Sequence, residues 1–173
     1  IELNAMSEVK MVPFSDRFEP VGTPEESGEA FFERMRKRRS VRDFSDRPVS
    51  RDAITWLVRA AGSAPSGANR QPWRFVCVSD PGLKKEIREG AEEEERAFYR
   101  ERGGQAWLDD LAPFGTGPDK GFLETAPWLV AVFRLIRNDD GSAVYYSGES
   151  VGIAVGLFLA AAQHAGLATL VHT

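Results

Sequence analysis

Apolar positions first recur at helical spacing after residue 23. Thr23-Pro24-Glu25-Glu26 opens that helix with three concordant signals: Thr23 as N-cap, Pro24 at the first helical position, and Glu26 placed to close a capping box. Ala30, Phe31 and Met35 supply its apolar side. Ser50 opens a second helix in the same way, with Ile54, Leu57, Val58 and Ala61 on the side to be buried and an end near Gly62. The period then shortens, and Trp73 to Val78 reads as a strand. Asp80-Pro81 starts a long charged helix that runs through Glu92-Glu93-Glu94-Glu95 to about Arg102. Ala126 to Leu135 gives a second strand, Asn138-Asp139-Asp140-Gly141 a turn, and Leu167 to Thr173 the beginning of a third strand.

Between these elements the pattern is broken in two places. Residues 1–22, with Pro13 and Pro20 and no period, read as an extended N-terminal arm of the kind that wraps a partner subunit, leaving 23–173 as the domain proper. Residues 113–121, rich in glycine and proline, are expected to be mobile. Val151 to Val171 is apolar for about the length that spans a bilayer, but Gln163, His164 and the Gly166 break shorten the run. It reads as a helix buried on nearly all sides, through a large core or a subunit interface. Three short strands cannot cover a sheet flanked by this many helices, so a C-terminal portion beyond Thr173 is expected to be missing from the chain.

A single cysteine, Cys77, excludes an intramolecular disulfide framework and sits in the apolar run Phe75-Val76-Cys77-Val78 as a buried strand residue. With only His164 and His172 in addition, no zinc cluster is available, and a core or surface role is expected for both histidines. No basic stretch followed by an apolar one opens the chain, so no signal peptide is read and the cytoplasm is the expected compartment, with no membrane partner. The net charge of -4 argues against nucleic acid as a partner.

Against that acidic background, Arg38-Arg39-Ser40-Val41-Arg42 crowds three permanent positive charges and a hydroxyl into five residues. Guanidinium groups clasp phosphate oxygens with paired hydrogen bonds, so the knot fits one compact anion. A solvated basic helix end that complements the helix dipole is the other reading. Ser63 to Pro72 is a loop of small residues, including Pro65-Ser66-Gly67-Ala68-Asn69, whose lack of bulk lets backbone N–H groups approach a flat ligand. Glu95 and Tyr99, four apart, share one helix face. Glu95 can take the ammonium of a free amino acid while Lys120 and the Tyr99 hydroxyl take its carboxylate. Taken singly, Glu95 also fits a solvated helix face, Tyr99 a packing aromatic and Lys120 an ordinary loop lysine.

Together, the arginine-rich knot, the Ala64-Pro65-Ser66-Gly67-Ala68 loop and Gln71-Pro72-Trp73 before a strand resemble the nitroreductase flavoprotein family. Within it, the run Glu92 to Tyr99, Trp107 with Asp110-Leu111, Lys120, Thr125-Ala126-Pro127 and Tyr145-Tyr146 leading to Glu149-Ser150 resemble the iodotyrosine deiodinases. The resemblance implies an α+β fold with a small central, mostly antiparallel sheet flanked by helices, and an interlocked homodimer with FMN at the subunit interface. It assigns Arg38, Arg39, Ser40, Val41 and Arg42 to the phosphate, ribityl chain and pyrimidine edge of FMN, and Pro65, Ser66 and Gly67 to its ring. It assigns Glu95, Tyr99 and Lys120 to the amino-acid end of the substrate and the Ala68 backbone to its phenolate. The implied activity is reductive dehalogenation of iodotyrosine or a related halophenol, with NAD(P)H or a reductase as electron donor. The catalytic group that bonds the flavin N5 is expected beyond Thr173. A general nitroreductase, quinone or flavin reductase shares the frame but needs no clamp for a zwitterion, and a non-catalytic flavin-binding protein is the reading from another class.

Overall fold

The computed structural model describes residues 12–101, 104, 109, 110, 112–115 and 117–172. It divides into two units, Ile1–Arg36 and Lys37–Thr173.

In the first unit the arm residues 12–20 adopt neither helix nor strand, and the start of the arm, 1–11, lies outside the described residues. Helix α1 spans Pro24–Met35. Its capping box forms as the sequence predicts: Thr23 Oγ1 accepts the Glu26 N–H at 3.2 Å, and Glu26 Oε2 accepts the Thr23 N–H at 2.8 Å. The expected apolar side does not bury within this unit, and Phe31 and Phe32 are both more than half exposed.

In the second unit, α2 (Arg51–Gly62) begins where Ser50 Oγ accepts the Ala53 N–H at 3.2 Å. Strands β1 (Trp73–Val78) and β2 (Leu129–Arg134) form an antiparallel pair, with Trp73 opposite Arg134 and Val78 opposite Leu129. Helix α3 covers Pro81–Glu101; Arg102, its expected end, is outside the described residues. A single helical turn, α4 (Phe122–Thr125), precedes β2, and the long helix α5 spans Ser147–His164. Helix α5 lies between α2 and the sheet. Ile54 and Leu57 of α2 pack on Ala162, while Ala64 and Trp73 pack on Ala154. Ala154 and Ala162 are wholly buried, and their small side chains let the neighbouring elements approach. Phe75 of β1 stacks on Phe158 of α5 at 6.0 Å between ring centroids. Trp128 donates its indole N–H to the Val49 carbonyl at 2.8 Å, tying the approach to β2 to the approach to α2.

The structure departs from the sequence pattern at four places. Strand β2 starts at Leu129, three residues late, because Ala126 closes α4 and Pro127 has no N–H for a ladder. The third strand does not form among the described residues: Thr169 makes one parallel bridge to Ser40, with the Val41 N–H donating to Thr169 O at 3.2 Å, and no second pair extends it. Helix α5 starts four residues before the apolar run, because its first turn, Ser147-Gly148-Glu149-Ser150, is polar. Tyr146, in a left-handed conformation at φ 53°, turns the chain into it, and its carbonyl accepts both the Ser150 N–H and hydroxyl. At the other end Gly166 takes φ 74° while the Leu167 N–H reaches back to Ala162 O at 2.9 Å. Finally, α5 is not buried on nearly all sides within this chain: Gly148, Gly152, Ile153, Gly156 and Leu157 make one exposed face. Among the described residues no helix is long and apolar enough to cross a membrane. Cys77 is half-buried in β1, and burial raises its thiol pKa, as a structural cysteine requires.

Candidate active site

One face of α3 carries charged side chains four residues apart, and each reaches toward the segment between Gly117 and Ala126. Lys84, buried, donates to the Glu124 carbonyl at 2.7 Å and the Ala126 carbonyl at 2.8 Å, satisfying carbonyls that α4 leaves free at its end. Arg88 bridges Glu92 Oε1 at 2.7 Å and Glu124 Oε1 at 3.0 Å. The Glu92 side chain, only 8% exposed, accepts the Lys120 backbone N–H on Oε1 at 2.8 Å and Arg96 on Oε2 at 3.0 Å. Arg96 also lies 3.9 Å from Asp119. One turn further along α3, Glu95 Oε1 accepts Lys120 Nζ at 2.7 Å. That ammonium also donates to the Gly117 carbonyl at 2.8 Å.

These bonds account for the charge states. The Lys120 N–H, followed by the Arg88 guanidinium, holds the Glu92 carboxyl down to about 2 against the opposing effect of its burial. Glu92 is therefore ionised at every physiological pH.

Beside Lys120 a cavity of about 360 Å³ is lined by Arg42, Glu95, Tyr99, Lys120, Phe122 and His172, among others. Four residues singled out in the sequence thus meet in one place, drawn from three separate segments. Phe122 and His172 are additions that sequence pattern gave no reason to select. His172 lies with Nε2 at 3.7 Å from Glu95 Oε2 and its ring 6.3 Å from that of Phe122. Burial, then the positive charge of Lys120, pushes its pKa down; Glu95 pulls the other way and Arg42 adds to the depression. His172 is exposed, as the surface alternative expected of it allows, and it also stands on the cavity wall. Lys120, within the segment 113–121, is 5% exposed and bonded through both its backbone and its ammonium.

The remaining predicted residues do not line this cavity. Arg38, Arg39, Ser40 and Val41 run beside Thr169, held by the single bridge at Ser40. Arg39 donates to the Arg38 carbonyl at 2.8 Å, while Arg38 and Arg42 form no ion pair among the described residues. Pro65, Ser66, Gly67 and Ala68 form a separate tight loop. Its Ser66 hydroxyl accepts the Gln71 N–H at 2.9 Å, and the Asn69 and Arg70 N–H groups close on Ser66 O and Gly67 O, each at 3.0 Å. None of these three bonds uses the Ala68 N–H. Ala68, Asn69 and Gln71 all have positive φ, at 47°, 54° and 48°. A Cβ at Gly67 would lie 3.1 Å from the Tyr146 ring, so the loop backbone rests directly on the Tyr145-Tyr146 pair. The donor set fits an anionic, flat cofactor: the Arg38 and Arg42 guanidinium groups, outside any ion pair among the described residues, on one segment, and a side-chain-poor loop with a constrained backbone on another. Trp107, Leu111 and Thr173 lie outside the described residues.

Comparison with known proteins places the chain in a family. Residues 35–173 match the model of the nitroreductase family. The chain is 47% identical over 167 residues to the iodotyrosine deiodinase of Haliscomenobacter hydrossis, covering 94% of this chain and 75% of that one. It is 41% identical to iodotyrosine deiodinase 1 of Homo sapiens over 95% of this chain and 58% of the human one. Among solved structures, oxidized iodotyrosine deiodinase bound to FMN and 3-iodo-L-tyrosine superposes with a TM-score of 0.73 and 36% identity, covering 83% of this chain and 74% of that one. Helices around a small antiparallel sheet, with the charged cavity beside α3, are thus the frame of a flavoprotein, and the chain belongs to the nitroreductase family, alongside the iodotyrosine deiodinases.

Proposed function

We propose that this protein is an FMN-dependent oxidoreductase that removes iodide reductively from iodotyrosine. The observation that carries the reading is the meeting of Glu95, Tyr99 and Lys120 in one cavity with Arg42, in a chain this similar to iodotyrosine deiodinases. Replacing a C–I bond by C–H consumes two electrons and one proton and releases iodide. When bound, FMN supplies the electrons, and NAD(P)H or a reductase restores them.

The chain's own residues bind and orient. Glu95 and Lys120 offer a carboxylate and an ammonium 2.7 Å apart, the mirror of an amino-acid zwitterion. A substrate ammonium inserted at Glu95 and its carboxylate at Lys120 replace one internal ion pair by two intermolecular ones, with Tyr99 adding a hydroxyl. Arg38, Arg39, Ser40, Val41 and Arg42 are the cofactor's phosphate, ribityl and pyrimidine contacts in this reading, and Pro65, Ser66 and Gly67 its ring contacts. The Ala68 N–H faces the phenolate oxygen and favours the ionised phenol.

The working unit in this reading is a homodimer. Two features support it. The cofactor residues 65–67 and the substrate contact Ala68 do not line the cavity that holds Arg42 and Glu95, and in this reading a second copy brings such halves together. Helix α5 also exposes Ile153 and Leu157 beside three glycines, a surface suited to close helix contact.

Anaerobic mixing of the reduced, FMN-loaded protein with 3-iodotyrosine tests the activity. Flavin reoxidation with stoichiometric tyrosine and iodide is the expected result. Reduced flavin that persists in the presence of iodotyrosine but is consumed by a nitroaromatic would replace this reading by that of a general nitroreductase.

A further inference from the structure

Glu92 is the most enclosed carboxylate of the cavity wall's support, yet it does not line the cavity itself. Three groups converge on it, Arg88 and Arg96 from its own helix and the Lys120 N–H from across the gap, and Arg88 also holds the carboxylate of Glu124. Arg88 bonds Oε1 and Arg96 bonds Oε2, so both oxygens of Glu92 are fixed in place, while Arg88 is shared with Glu124 and Arg96 lies beside Asp119. With Oε1 so oriented, the acceptor for the Lys120 N–H has one position. Lys84 performs the same service downstream, at the carbonyls of Glu124 and Ala126. The main chain of the segment that carries Lys120 is therefore fastened to α3 side chains upstream, at the Lys120 N–H, and downstream, at the Glu124 and Ala126 carbonyls.

We propose that Glu92 is a positioning residue for substrate binding: its carboxylate, clamped by Arg88 and Arg96, latches the Lys120 backbone to α3 so that the Lys120 ammonium is delivered beside Glu95. The proposal rests on the deiodinase reading only in naming the substrate whose carboxylate Lys120 meets. The latch itself is a statement about the chain. Its ionised state across the physiological range follows from the same bonds.

The prediction separates the two ends of the substrate. Iodotyrosine has an amino-acid end that uses Lys120, whereas 2-iodophenol has none. In the FMN-loaded protein, Glu92→Ala is expected to lower the ratio of kcat/KM for iodotyrosine over 2-iodophenol at least tenfold, chiefly through KM for iodotyrosine. Glu92→Gln keeps an oxygen that can accept the Lys120 N–H and is expected to recover part of that ratio. A ratio within twofold of the native protein for Glu92→Ala overturns the proposal, as does an equal loss on both substrates together with weakened FMN binding, which marks a general structural role. Hydrogen exchange in the unaltered protein gives a second arm: the Lys120 amide is expected to be protected well above its unfolded rate, and exchange near that rate overturns the latch. Should the native protein release no iodide at all, the deiodinase reading falls while the exchange arm still decides the latch.

Discussion

Lys120 Nζ donates to Glu95 Oε1 at 2.7 Å, so the two residues assigned to opposite ends of a zwitterion are first of all each other's partners. Neither charge waits bare in the cavity; substrate has to exchange the pair for itself. Removing one partner then leaves the other without its counter-charge as well as removing a substrate contact.

Lys120→Ala and Glu95→Gln are each expected to raise KM for iodotyrosine about tenfold or more, given about 1.5–3 kcal/mol for a hydrogen bond to a charged group. Because the residues are paired, the double variant loses less than the product of the single losses. Steady-state kinetics on the two single variants and the double one checks this, and strict multiplicativity would contradict the pairing.

His172 gives a distinct pH signature. Its pKa lies below the usual 6.5, through burial and the nearby Lys120. Above pH 6.5 the ring is neutral whether the chain is folded or unfolded. As pH falls below 6.5 the unfolded chain takes up the proton first, so stability declines until the folded pKa is passed and then levels off. His172→Gln abolishes this decline, and urea midpoints for both proteins between pH 7.5 and 5 read the difference.

Glu92 acts at more acidic pH. With a folded value of about 2 against an ordinary 4.5, its contribution is complete above pH 4.5 and disappears as pH falls through about 2. Glu92→Gln is expected to be less stable than the native protein at neutral pH and to converge with it near pH 2. Acid titration followed by circular dichroism tests that convergence; curves that stay parallel would contradict it.

Lys84→Met keeps most of the buried stem and deletes the donor to the Glu124 and Ala126 carbonyls. The expected destabilisation is about 2 kcal/mol, from buried acceptors left unmatched. It should appear as a lower urea midpoint with an unchanged slope.

Local signals placed most of the helices and the first strand. Thr23 and Ser50 carry their information in one side chain and one N–H three residues away, which sequence alone displays. The alternation of Trp73 to Val78 likewise survives because its ladder partner is a single strand in simple register. What sequence could not display are contacts made across the chain. His172 has no neighbour of interest in sequence; it meets Glu95 across the fold, in a segment whose Thr169 is bridged to Ser40. Glu92 sits in a run of four glutamates, and nothing local distinguishes the one that is buried from those that are solvated. The charges at Lys84, Arg88 and Glu92, each four residues from the next, were the available signal that one face of α3 has a partner. For the candidate site, residue identities were readable, whereas their division between the cavity wall and a separate loop was not.

The bond between Glu92 and the segment at 120 is made to a main-chain N–H, a group every amino acid except proline possesses. The anchor is therefore indifferent to which side chain it presents. A substitution at 120 that keeps the main-chain N–H keeps this anchor and gives up the ammonium's own bonds to Glu95 and Gly117. Where the segment meets α3 is thus set in part by its main chain, and what it offers a ligand by its side chain.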